Sequence, residues 1–120
     1  MANPDLTSNG NSILGKYISS LATTTLTSIL ANSSSSGKVY KINSIYAANV
    51  SDASTVQVDV SINNGSDDRY LVYQIVVPPC TTQILLDKDS YLYLLEGHSV
   101  KIKSNVASSI HMTIGYEDIG

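Results

Sequence analysis

An all-β fold, an antiparallel β-sandwich of jelly-roll-like character in a single domain, is what this sequence predicts, and three observations predict it. The stretch VQVDVSIN, residues 56–63, alternates apolar and polar side chains, the period-two pattern of a strand with one buried face. Turn-forming groups recur between apolar runs: Asn64-Gly65, Pro78-Pro79, Asp87-Lys88-Asp89 and Glu96-Gly97. About eight short apolar runs are separated in this way, the spacing of a sandwich or jelly roll.

Taken in order, residues 1–12 are polar, with Asn3, Pro4, Asn9, Gly10 and Asn11, and have little to bury. They open an extended N-terminal arm over residues 1–20, ahead of a sandwich over residues 21–120. Ordering a segment costs ~1–2 kcal/mol per residue, so such an arm orders only against a partner. Removing residues 1–18 is expected to leave the sandwich folded.

Residues 13–30 carry two signals. Ile13, Leu14, Tyr17, Ile18, Leu21, Leu26, Ile29 and Leu30 have spacings that suit a helix. Thr23-Thr24-Thr25 and Thr27-Ser28 suit a strand better, so residues 23–31 are expected to be extended. Residues 33–37, four serines and a glycine, form a loop.

From Lys38 onward strands dominate. Tyr40, Ile42, Tyr46, Ala48 and Val50 share one parity, with Lys41 and Asn43 on the other. The strand at 56–62 ends at Asn63-Asn64-Gly65, residues that tolerate the positive φ of a hairpin turn. Residues 70–77 are apolar on both faces apart from Gln74, which predicts a central strand. Pro78-Pro79 ends it, because neither proline can donate to a ladder. Residues 81–86, 91–95, 99–103 and 110–117 supply further strands. The expected buried face includes Val56, Val58, Val60, Ile62, Ile110, Met112 and Ile114.

Composition narrows the function classes. The chain has 120 residues, enough for one domain that folds without a disulfide or metal. Hydrophobic residues make up 42%, so composition does not predict disorder. Charged residues make up only 14%, against the ~25% usual for globular domains, and Ser, Thr and Asn carry the polarity instead. A surface so poor in charge points to a protein packed against neighbours. Aromatic usage is eight Tyr with no Trp or Phe, and Tyr suits half-buried sheet positions and interfaces. The net charge of −3 provides no basic field for nucleic acid or an anionic membrane. Cys80 is the single cysteine, so no internal disulfide forms and a reducing cytoplasm is compatible with folding. Residues 1–10 lack the basic start and apolar core of a signal peptide, and no apolar run reaches ~18 residues.

The residue types that carry chemistry are few and scattered. His98 lies in a glycine turn beside Glu96, and His111 on the polar face of the last strand. Glu96, His98, Asp87 and Asp89 are near in sequence, but nothing makes them converge as metal ligands must. The Asp67-Asp68 and Asp87–Asp89 turns lack the spaced acids and closing Glu of a calcium loop. No serine stands in a G-x-S-x-G elbow, and Cys80 follows two prolines, away from any helix N-terminus, as an inert half-buried thiol. Gly10 and Gly15 open no phosphate-binding loop. The expectation is therefore no catalytic, cofactor or metal site, and no enzyme. Tyr91 and Tyr93, two apart, share a sheet face, and Tyr40 and Tyr46 share another. Together with Leu14, Tyr17 and Ile18, the apolar set behind the arm, Tyr91 and Tyr93 are the candidate assembly-interface residues.

Residues 38–118 carry a recognisable order of motifs. KVYKINSIYAANVS enters a turn at Asn49, and VQVDVSINNG makes a hairpin. YLVYQIVVPPCTTQILLDKDSYLYLLEGHSVKIKSN follows, and the last strand ends in IGYEDI. This order resembles small β-sandwich virion structural proteins of tailed bacteriophages, decoration (cement) proteins and neck or tail modules among them. The resemblance covers about two-thirds of the chain and brings no catalytic residues with it. It implies a capsid decoration protein, made in the host cytoplasm and carried in the virion, that binds the major capsid protein as a homo-oligomer such as a trimer. A neck, tail or fibre position is the alternative. A carbohydrate-binding module using Tyr91, Tyr93 and the acidic turns is a second.

Overall fold

The computed structural model of the protein describes residues 12–120. Among the described residues nine strands form: β1 Ile13–Leu21, β2 Thr27–Ala31, β3 Val39–Asn49, β4 Val56–Asn63, β5 Asp68–Val77, β6 Thr82–Leu86, β7 Leu92–Leu94, β8 Ser99–Ser104 and β9 Ile110–Ile119. A single 3-10 turn, Lys88–Ser90, separates β6 from β7, and no α-helix occurs among the described residues.

Two antiparallel sheets pack face to face, so the fold is an all-β sandwich. One sheet runs β1-β9-β3-β6, with β7 also paired to β3; the other runs β2-β8-β4-β5. Only the β4–β5 hairpin joins sequence neighbours within the four-stranded sheet, so most connections cross from one sheet to the other.

The alternation read in β4 places its apolar residues as expected, but Asp59 and Ser61 on the other face are buried too, Asp59 Oδ1 accepting from Gln74 N at 2.6 Å. Val56, Val58 and Val60 are fully buried and Ile62 packs at the core margin. They meet Val100 and Ile102 of β8 in their own sheet and Ile42, Ile45, Ile110, Met112 and Ile114 in the cluster between the sheets. The β4–β5 turn uses the residues expected of it. Gly65 sits at φ +97°, Asn64 donates its N–H to Asp67 O, and Asn63 Oδ1 accepts from Gly65 N at 2.8 Å.

Crossing between sheets leaves loop backbone at the core margin, and two buried asparagines satisfy it. Asn32 Nδ2 donates to Lys38 O at 2.9 Å and Leu94 O at 3.1 Å, while its Oδ1 accepts from Ser36 Oγ. Asn49 Nδ2 donates to Ser54 O and Val77 O, and its Oδ1 accepts from Ser51 N. Each therefore pins one crossover loop to a strand end that is remote in sequence. An orphaned buried carbonyl costs ~1–3 kcal/mol, which gives these side chains their weight.

Four expectations need correction. Residues 13–20, assigned to the arm, form β1, a regular partner of β9; the polar segment 1–11 lies outside the described residues. Ile18 packs on the core, so removing residues 1–18 would strip a strand from the sheet rather than trim an arm. Residues 70–77 do not form a central strand: β5 is a sheet edge, and its Leu71, Tyr73 and Val76 are exposed. Tyr40 and Tyr46 do not share a face either. A bulge between Ile42 and Ser44 shifts the phase of β3, so Ile45 and Ala47 are buried and Tyr46 turns outward. The bulge fits because Ser44 lies opposite Gly115, where a Cβ would come within 2.8 Å of Ser44 Oγ. Finally, Cys80 is exposed, at φ +55° in the turn after the prolines.

Truncation of Ile114 to Ala should cost about 2–5 kcal/mol by urea unfolding, since transfer and cavity terms add. Gln57→Ala, on an exposed side chain, should cost less than about 0.5 kcal/mol. Gly65→Val should cost upwards of about 1 kcal/mol in the same assay, because a β-branched residue is strained at φ +97°.

Candidate assembly surface

The pleat divides the candidate residues between two faces of the first sheet. On β1, Ile13, Gly15, Tyr17, Ser19 and Leu21 share the outer face; Leu14, Lys16, Ile18 and Ser20 share the face turned toward the second sheet. Ile18 is the one that reaches the core. Tyr17 is 74% exposed and Leu14 54%. Tyr93, on β7, pairs with Lys41, which pairs with Glu117, which pairs with Gly15. Tyr93 and Tyr17 therefore lie on one face but at opposite edges of the sheet, with β9 and β3 between them. The structure does not gather Leu14, Tyr17, Ile18, Tyr91 and Tyr93 into a single patch.

The β7 end of the face is held by polar and aromatic contacts. Tyr91 and Tyr93 meet edge to face with centroids 5.8 Å apart, and Lys41 Nζ lies 4.3 Å from the centre of the Tyr91 ring. Glu117 accepts from Asn43 Nδ2 at 3.0 Å and lies 3.9 Å from Lys41. These contacts fix the rings side-on, half-exposed rather than swallowed by the core.

Exposed apolar side chains extend well beyond the residues named from sequence. Ile13 and Leu21 on β1, Tyr46 on β3 and Ile84 on β6 belong to the first sheet; Tyr70, Leu71, Tyr73 and Val76 line β5. Tyr70 and Tyr73 stack edge to face at 4.9 Å. The signal for β5 was in the sequence, since a strand apolar on both faces needs cover on both. The chain covers only one of them.

Acidic side chains are taken up in structural pairs. Asp87 caps the 3-10 turn by accepting from Asp89 N. Asp68 accepts from Asn63 Nδ2 at 2.8 Å and lies 3.3 Å from Lys101, while Asp67 lies 3.6 Å from Arg69. Glu96 Oε2 accepts from Gly37 N at 2.6 Å, fastening the serine loop to the turn that holds His98. Among the described residues no three of His, Cys, Asp and Glu come close enough to hold a metal ion. An open hollow of about 400 Å³ at the end of β1 is lined by Ser19, Ser20, Leu21, His111 and Thr113. Its lining puts one imidazole among hydroxyls without an acid to orient it, which is short of a nucleophile–base–acid set.

Asp118 is the most consequential charge. It is 3% exposed, receives a 2.7 Å hydrogen bond from Lys16 of β1, and has Lys38 at 3.4 Å. Burial alone would push its carboxyl up, but the Lys16 hydrogen bond and the two ammonium charges outweigh it. They hold the group below its ordinary 3.8. The same bond raises Lys16 above its ordinary value. Burial pushes the nearby Tyr116 hydroxyl up. On the other sheet, the Asn63 bond leads in holding Asp68 low, against burial and with help from Lys101.

No family model matches this chain, and no curated protein matches it. The class defined by the fold and surface is an antiparallel β-sandwich with apolar, weakly charged sheet edges.

A carboxyl depressed in the folded state stabilises the protein above its unfolded pKa and loses that stabilisation as pH falls through the folded value. The protection of β1 amides from hydrogen exchange, relative to the intrinsic rate at each pH, should therefore fall below about pH 4. Asp118→Asn should remove most of this pH dependence and leave β1 loosened at neutral pH; equal acid sensitivity in both forms would mean that Asp118 does not hold the edge.

Proposed function

We propose that this protein is a virion structural protein, a capsid decoration protein that binds the shell surface and bridges its subunits. The observation that carries the reading is the run of large apolar side chains exposed on β1 and β5, at opposite ends of the sandwich. Two such edges on one small domain allow it to span two neighbours. A chain in which only 14% of residues are charged offers little penalty against close packing. Each contact can be modest, because repetition and linkage raise the overall affinity.

The strand order is compatible with this reading. The orders β1-β9-β3-β6 and β2-β8-β4-β5, with β6 and β7 together in the place of one strand, support reading the sandwich as a jelly roll. Jelly rolls serve in viral shells and in lectins, so the fold alone does not choose between them. The paired Tyr91 and Tyr93 rings are what favours glycan binding as the second reading. The neck, tail or fibre position differs from a shell position in copy number.

The test is attachment to particles that lack the wild-type copy. Full-length protein should co-sediment with them at a copy number in the hundreds. Charged substitutions at the exposed edge, Tyr73→Glu with Val76→Glu, should abolish co-sedimentation while leaving the thermal melt within a few degrees. A small symmetric copy number would move the protein to the neck or tail. Failure to attach, together with selective retention on a glycan array, would replace the virion reading by the carbohydrate one.

A further inference from the structure

Strand β1 is the sheet edge that this fold leaves open. An edge presents unpaired N–H and C=O groups that template another strand, and proteins blunt edges by brevity, bulges, proline or charge. The other edges here are blunted. β2 is five residues long and its ladder breaks between Ser28 and Leu30. β6 and β7 are five and three residues long. β5 is long, but its ladder shifts twice, Gln74 sits at φ +55°, Arg69 charges one end and Pro78-Pro79 closes the other. Among the described residues β1 alone is long and unblunted. It runs nine residues in one unbroken register with β9, has no proline, and its single charge, Lys16, is drawn to Asp118.

The open side has a definite parity. Ala22 N donates to Ile110 O, and Gly120 N donates to Ser12 O, both at 2.9 Å. Antiparallel ladders alternate hydrogen-bonded and non-hydrogen-bonded pairs. In this register the even-numbered residues of β1 therefore bond to β9, and Ile13, Gly15, Tyr17, Ser19 and Leu21 turn their N–H and C=O groups to the open side.

We propose that β1 pairs with β1 of a second copy of this chain, antiparallel about a two-fold axis at Tyr17, so that two sheets become one. This register sets Ile13 opposite Leu21, Gly15 opposite Ser19 and Tyr17 opposite Tyr17, all residues whose backbone groups are free. Apolar side chains meet at both ends of the outer face, the Tyr17 rings meet in the middle, and Gly15 and Ser19 beside them leave room. On the other face Lys16 falls opposite Ile18. Moving the axis to Lys16 would set two ammonium groups face to face, and moving it to Ile18 would leave Ile13 without a partner. Leu14 is 54% exposed on the side turned toward the second sheet, so β1 is incompletely covered there and a second copy has access.

A strand that is complementary to itself in this way demands two-fold symmetry, where the resemblance implied a trimer. Two nine-residue strands bury less than the ~800 Å² per partner of a standard interface, so the expected dissociation constant is micromolar or weaker. The inference does not rest on the virion reading: a monomer here leaves attachment to particles open, and failure to attach leaves the pairing untouched.

Sedimentation velocity of the full chain, from about 1 µM to about 1 mM, tests it. The expected result is a reversible monomer–dimer equilibrium. Ser19→Pro deletes an outward N–H and no bond to β9, and Tyr17→Lys opposes two ammonium groups on the axis. Each should weaken dimerisation about tenfold or more with the thermal melt kept. Tyr17→Asp should do the same alone, and mixing it with Tyr17→Lys should restore a heterodimer, the result specific to this register. Wild-type protein that stays monomeric, or a dimer or trimer indifferent to the Tyr17 substitutions, would overturn the proposal. So would an oligomer lost on deleting residues 1–11 and unaffected by Ser19→Pro, which would give the contact to the polar segment instead.

Discussion

Everything in this fold follows from burying one face of β3 and β9 against β4 and β8. These central strands bring Ile42, Ile45, Met112, Ile114, Val58, Val60, Val100 and Ile102 into one dry cluster. A chain that winds between two sheets must cross the margin of that cluster repeatedly, and each crossing brings polar backbone with it. Asn32 and Asn49 make the crossings affordable, each tying a loop carbonyl and a distant strand carbonyl with a single amide. Packing of the core and polar satisfaction at its rim are thus parts of one constraint.

Because the core draws on the central strands, the edges contribute little to it and are free to serve other ends. β1 and β5 bury little of their own surface, yet they carry Tyr, Leu, Val and Ile where a solitary domain would carry charge. The chain's charges are spent instead on fastening: Lys16 and Lys38 on Asp118, Lys101 on Asp68, Lys41 on Glu117. A few short-range ties hold the edge strands in place, and further exposed charges such as Asp52, Asp87, Lys88 and Asp89 lie in the loops.

What the sequence disclosed and what it hid divide along the same line. The β4 alternation, the Asn64-Gly65 turn and the period of β9 were legible because each is local: the pattern and its meaning lie within ten residues. The phase of β3 was not, because its bulge depends on room at Gly115, far along the chain, and nothing near Asn43 announces it. β1 was hidden by spacing that suits a helix; pairing with β9 overrides that periodicity. β5 misled for a different reason. Apolar side chains on both faces say that both faces want cover, and cannot say whether this chain supplies it. The same ambiguity hid the exposed apolar side chains of β5, while the exposure of Tyr17, Tyr91 and Tyr93 was legible because tyrosine suits positions that are not fully buried.

The two-residue rhythm of β1 has an evolutionary consequence. Even positions answer to β9, Asp118 and the core; odd positions answer to whatever lies outside. Mutation can therefore explore the odd positions at small cost to folding, and the even ones at small cost to partner choice. A single strand in this way separates two selective pressures that most interfaces entangle. New associations can be tried in this lineage one residue at a time, without first building a reserve of stability to spend on them.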